Sequence, residues 1–143
     1  KIFKLYEGYA VAKKYGAIHF TSSWENRPKS KPIKINSEDK IAVQFLIDYK
    51  KRLKKINEET IKYGSKTILV TQKLYKDHSL SDALNLINSA TKNFCIENKI
   101  ICLPLDEKIN FDFEKEFYDL LHTRPSGNLK IAEFISQEIK NKF

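Results

Sequence analysis

The chain has 143 residues, the length of one domain and too short for two sizeable ones. Hydrophobic residues make up 41% and aromatics 12%, enough for a core and too many for a wholly disordered chain. No apolar run approaches the ~20 residues of a membrane helix, and the net charge of +8 raises the question of a polyanionic partner.

Residues 1–20 have mixed helical character, with Ile2, Leu5, Tyr6, Tyr9 and Ala12 in a rough stripe and Gly16 as a stop. Lys4, Glu7, Lys13 and Lys14 interrupt this stretch, so it does not read as a secretory leader. Residues 21–36 read as a loop, because Pro28 and Pro32 disfavour helix. Trp24, Asn26 and Arg27 could line a pocket there, although a loop Trp that anchors its own segment fits as well. A helix is expected over 37–63. Asn36 or Ser37 would cap it, and Gly64 would stop it. Ala42, Leu46, Tyr49, Leu53 and Ile56 form its stripe, widened by Phe45 and Ile61.

The densest basic run, Lys50-Lys51-Arg52 with Lys54-Lys55, falls on the outer side of that helix. Only three of the 26 basic residues are Arg, whereas recognition of phosphates and bases favours Arg forks. The run therefore reads as a solvated surface, and no nucleic-acid partner is expected. Lys66 to Gln72 reads as a strand covered on both faces, through Ile68-Leu69-Val70. A second helix opens near Ser79, where Ser79-Leu80-Ser81-Asp82 resembles a capping box. Its expected buried face is Leu80, Ala83, Leu84, Ile87, Ala90 and Phe94. Ile100 to Leu103 is a second strand.

The two cysteines, Cys95 and Cys102, sit in apolar stretches and read as small buried hydrophobes, not as a disulfide framework or a zinc site. A looser stretch, 104–124, holds three Phe and several acids, and Asp112, Glu114 and Glu116 are expected to form a solvated acidic turn. Ser126-Gly127-Asn128 then leads into a last helix with Leu129, Ala132, Ile135 and Ile139 as its stripe. Alternation of this kind implies α/β architecture with parallel strands. Two strands are few for such a sheet and leave it incomplete in this chain.

The segment that carries chemistry runs from Phe117 to Ala132. Asp119 stands three residues before His122, so its carboxylate can accept the Nδ1 proton and leave Nε2 to take a proton from a nucleophile. The flanking pattern resembles the last block of the SGNH, or GDSL-like, hydrolases. There an Asp-x-x-His pair precedes a loop with a Gly and a final helix containing an Ala. Asn57 to Gln72 is similar to that family's long helix and fourth strand, and Asn88 to Leu105 to its next helix and fifth strand.

The likeness covers roughly 37–143, with 1–36 as the variable region before it. It implies a flavodoxin-like three-layer sandwich and a serine esterase or acyl hydrolase acting on an acyl ester. His122 would be the base and Asp119 its partner, and Thr71 and Gln72, at the C-terminal end of a strand, would lie near the cleft. Read from its position alone, Arg124 could bind an anionic substrate group beside His122, although a salt bridge to the acidic loop fits better. No metal or organic cofactor is implied. The family's Gly-Asp-Ser block and its other oxyanion-hole blocks do not occur here, so the nucleophile is expected from a missing N-terminal part of the same domain. His19 and His78 read as ordinary loop positions. The alternative function is a non-catalytic basic α/β module that binds an anionic partner.

Overall fold

A computed structural model describes residues 34–75, 80–119 and 121–142. The expectations placed on residues 1–33, on His78 and on Ser79 lie outside these. Helix α1 spans Lys40–Lys62. Its cap is Asp39, whose carboxylate accepts from Ile41 N at 2.7 Å, and neither Asn36 nor Ser37. Asn36 instead closes the turn before it, accepting from Glu38 N through its side chain and from Asp39 N through its carbonyl. The helix ends as expected at Gly64. Gly64 N donates to Ile61 O and Ser65 N to Thr60 O, and Gly64 takes φ +68°, which a side chain would resist.

Strand β1 (Ile68–Val70) pairs in parallel with β2 (Ile101–Leu103), with Ile68 opposite Ile101 and Val70 opposite Leu103. Helix α2 (Ser81–Asn98) connects them. Short helices α3 (Leu105–Lys108) and α4 (Phe113–Glu116) follow, and α5 (Pro125–Lys140) closes the chain. The architecture is α/β: a small parallel sheet among a majority of helix. Among the described residues the sheet has two strands, and β1 is only half-buried rather than covered on both faces.

The core lies where α1, α2, β2 and the 105–117 segment meet, around Leu53, Phe94, Cys95, Leu103, Leu105 and Phe117. Tyr49 on α1 donates to the Thr91 hydroxyl at 2.8 Å, because Thr91 spends its own proton on Ile87 O. Cys95 is buried and Cys102 half-buried; both thiols are unbridged. Burial first, and then the neighbouring Cys102, push the Cys95 thiol up to about 12.

Several apolar stripes are narrower than the spacing implies. On α1, Phe45, Ile56 and Ile61 are exposed, and so is Leu80, the residue before α2. On α2 the expected Ala90 and Phe94 are buried, and Asn88, Thr91 and Cys95 join them, the first two with polar partners at Gln72 just after β1 and at Tyr49 on α1. Ser126-Gly127-Asn128 is the first turn of α5 rather than a loop before it, since Pro125 at the first helical position is already set for helix. Of the expected stripe on α5, Ile135 and Ile139 turn inward, whereas Leu129 and Ala132 are exposed and Ile131 and Phe134 turn inward in their place. The basic run on α1 is exposed or nearly so and is met by acids: Lys50 with Glu97, Lys51 with Asp48, Lys54 with Glu58. No helix of the described residues is long and apolar enough to cross a membrane.

Candidate active-site loop and cleft

After α4 the backbone of Phe117 turns extended and forms an antiparallel bridge with Thr123. Tyr118 N donates to His122 O at 2.8 Å, and Arg124 N to Glu116 O at 2.7 Å. These bonds pinch 117–123 into a closed loop with Asp119 near its tip. One carboxylate oxygen, Oδ1, accepts the backbone N–H groups of Leu121 and His122, each at 2.7 Å. The other, Oδ2, lies 2.7 Å from His122 Nδ1. Partial burial raises the Asp119 pKa, but the His122 backbone amide, the His122 ring and the Leu121 amide outweigh it and hold the carboxyl below its ordinary value. An ionised carboxylate only accepts, so the ring donates from Nδ1 in this bond, the arrangement in which a neutral imidazole has its lone pair at Nε2. The imidazole is 65% exposed at its side chain and reaches solvent beside the loop.

The loop stands on a rigid base. Phe117 is fully buried and meets Phe113 at 4.5 Å and Phe111 edge-on at 5.2 Å; Tyr75 meets Phe113 edge-on at 5.1 Å. On the other side, the Thr123 hydroxyl donates to the Asn128 side chain in the first turn of α5. Gly127 in that turn is buried against the loop, and a Cβ there would lie 2.6 Å from Glu116 O and 3.2 Å from Thr123 Cβ. The acidic turn is not simply solvated. Glu116 accepts from Asp112 N at 2.7 Å and pairs with Lys130 at 3.1 Å, which ties α4 to α5.

Arg124 and Gln72 fall differently from one another. Arg124 Nε donates to Phe117 O at 2.8 Å, and the guanidinium lies 5.2 Å from the Tyr118 ring centre. It braces the loop and does not line the cleft beside it. Nor does it pair with the acidic turn. Gln72 does line that cleft, with an exposed side chain at the carboxyl end of β1, the edge at which open α/β sheets bind ligands. Its backbone is fixed by Asn88 on α2: Gln72 N donates to Asn88 Oδ1 at 3.1 Å, and Asn88 Nδ2 donates to Gln72 O at 2.7 Å. The buried amide thus pairs with the strand as a neighbouring peptide would. Thr71, just before, is buried and continues the ladder to Leu103 O.

Sequence reading missed Asn88, and with it a second cluster. Thr71 donates to Asp106 Oδ1 at 2.5 Å and accepts from Asp106 N at 3.1 Å, while Lys92 reaches Asp106 Oδ2 at 3.1 Å and Glu107 at 2.5 Å. One signal was available: Asn88 and Thr91 fall among the apolar positions of α2, where a polar side chain needs a partner. Among the described residues no group of three His, Cys, Asp or Glu side chains is arranged to hold a metal ion.

The chain matches no protein-family model, and neither the curated proteins nor the solved structures give a match.

Proposed function

We propose that this chain supplies the acid–base pair of an ester hydrolase that works by acyl transfer, with His122 as base and acid and Asp119 as its orienting partner. The observation that carries the reading is the bonding of Asp119. Three donors within one seven-residue loop fix both of its oxygens and set the histidine tautomer. The ring is exposed, and its chain neighbours Leu121 and Thr123 line a cleft at the carboxyl end of β1 that His122 and Asp119 themselves do not line.

The steps follow from that tautomer. A hydroxyl attacks the ester carbonyl while its proton passes to His122 Nε2. Asp119, still ionised, stabilises the imidazolium. The imidazolium returns the proton to the departing alcohol as the tetrahedral intermediate collapses to an acyl-enzyme. Water then repeats the sequence and frees the acid. The 143 residues contain no Gly-Asp-Ser block, so in this reading the attacking serine comes from sequence outside them, and the two strands join a larger three-layer, flavodoxin-like sheet.

The test uses the full-length gene product and a short p-nitrophenyl ester. His122→Ala should lower kcat/KM by at least about a thousandfold, and Asp119→Asn by a comparable order. Turnover unchanged in His122→Ala, or no esterase activity in the full-length protein, overturns the reading.

A further inference from the structure

The cleft at the carboxyl end of β1 measures about 310 Å3, at the small end of the ~300–1,000 Å3 typical of ligand sites. Leu105, Phe111 and Ile131 give it apolar walls. Gln72 and Lys73, on the segment that leaves β1, bring polar groups to it. Among the described residues no Asp or Glu lines it, so its charge is that of the Lys73 ammonium.

Lys73 differs from its counterparts. The half-buried lysines among the described residues are Lys50, Lys73, Lys92 and Lys130. Lys50 meets Glu97 at 3.2 Å, Lys92 meets Asp106 at 3.1 Å, and Lys130 meets Glu116 at 3.1 Å. Lys73 instead donates to a neutral acceptor, Ile109 O, at 2.6 Å. That bond fixes the ammonium but does not neutralise it, and two of its three N–H groups keep no acceptor among the described residues. Acids of the two adjoining clefts do not supply the counter-charge. Asp106 faces Lys92, Asp112 faces Lys115, and neither Asp82 nor Glu114 forms an ion pair among the described residues. A cation partly withdrawn from water without an anion carries a desolvation cost that an incoming anion offsets.

Gln72 adds a neutral donor beside it. Asn88 holds its backbone, while its side-chain amide is exposed and bonds to none of the described residues. One ammonium and one amide suit a single carboxylate. A phosphate dianion would find no Arg fork here, since Arg124 is spent on Phe117 O and stacked on Tyr118.

We infer that this cleft binds a small organic monocarboxylate with a compact apolar body, the carboxylate on Lys73 and Gln72 and the body against Leu105, Phe111 and Ile131. The site uses neither Asp119 nor His122, so it stands or falls apart from the proposed function.

Phenylacetate and its neutral isostere phenylacetamide test it by calorimetric titration of the full-length gene product. The acid should bind saturably and at least about tenfold more tightly than the amide, the scale of a charge-assisted hydrogen bond. Lys73→Met should weaken phenylacetate by at least about tenfold. Gln72→Glu, at an exposed position that leaves the Ile109 bond intact, should weaken it by a similar factor through like charge, with phenylacetamide changed less than about threefold. Equal affinities for acid and amide, no saturable binding of phenylacetate, or binding unaltered in both variants overturns the site. His122→Ala should leave phenylacetate binding as it is. Binding in a protein without esterase activity keeps this site and removes the hydrolase reading; His122-dependent activity without phenylacetate binding does the reverse.

Discussion

At Gly127 the geometry leaves no room for any side chain. The first turn of α5 approaches the 116–123 backbone so closely that a methyl group would meet Glu116 O at 2.6 Å. That same carbonyl accepts the Arg124 amide that closes the His122 loop. A displaced Glu116 therefore loosens the bond holding Asp119 and His122 in register. Gly127→Ala should cost about 1–3 kcal/mol in urea unfolding, the range for forced overpacking. It should also lower any His122-dependent activity, because a tautomer fixed by 2.7 Å bonds depends on the loop that carries them. An alanine variant with native stability would mean that the helix can withdraw from the loop without loss. The Asp–His spacing itself was legible in the sequence, since three residues bring a carboxylate to an imidazole. The two backbone amides on Asp119 were not, because they converge only when Phe117 and Thr123 pair across the loop base.

Elements were legible wherever the contacts that make them are local. The 3.6-residue period found α1 and α2, the β-branched runs found β1 and β2, and Gly64 marked the end of α1. That end gives a second, different glycine prediction. Gly64 has open space around it, so its requirement is conformational and not steric. At φ +68° an alanine should cost about 1 kcal/mol, and Gly64→Asn should recover part of that because Asn tolerates the left-handed region. Thermal unfolding of the three proteins checks the order Gly, Asn, Ala. Equal midpoints would show that the C-terminal turn of α1 frays and contributes nothing. What periodicity did not reveal is the face each helix buries. On α5 a stripe from Leu129 and Ala132 was as regular as the real one through Ile131 and Phe134. The choice is made by Gly127, which must face the loop and so fixes the rotation of the whole helix. The 104–124 stretch had no period at all. Its order comes from Phe111, Phe113 and Phe117 meeting each other and Tyr75, contacts that cross from one segment to another.

Across the whole molecule, the polar knot at Asp106 joins parts that a two-stranded sheet cannot join alone. Thr71 belongs to the end of β1, Lys92 to α2, and Asp106 to the short helix after β2. Burial raises the Asp106 pKa, yet the Thr71 hydroxyl and the Lys92 ammonium outweigh it, so the carboxyl sits below its ordinary value. A carboxyl depressed in the folded state contributes stability above its unfolded pKa of about 3.9 and loses that contribution as pH falls through the lower folded value. Asp106→Asn removes the charge and keeps the shape. Its cost should be about 1–3 kcal/mol at pH 7, from the loss of charge-assisted hydrogen bonds at a mostly buried group. Measured by urea unfolding, the gap between the two proteins should hold from pH 7 to about pH 5 and narrow below about pH 4, as the native carboxyl gains its proton. A gap that stays constant through pH 3 would assign the effect to shape rather than to the ionised group. The pH window also bears on the cleft. Thr71 and Gln72 form part of its wall, and Thr71 is held by this carboxylate. Acid that releases Asp106 should therefore loosen the carboxyl edge of β1 together with the fold.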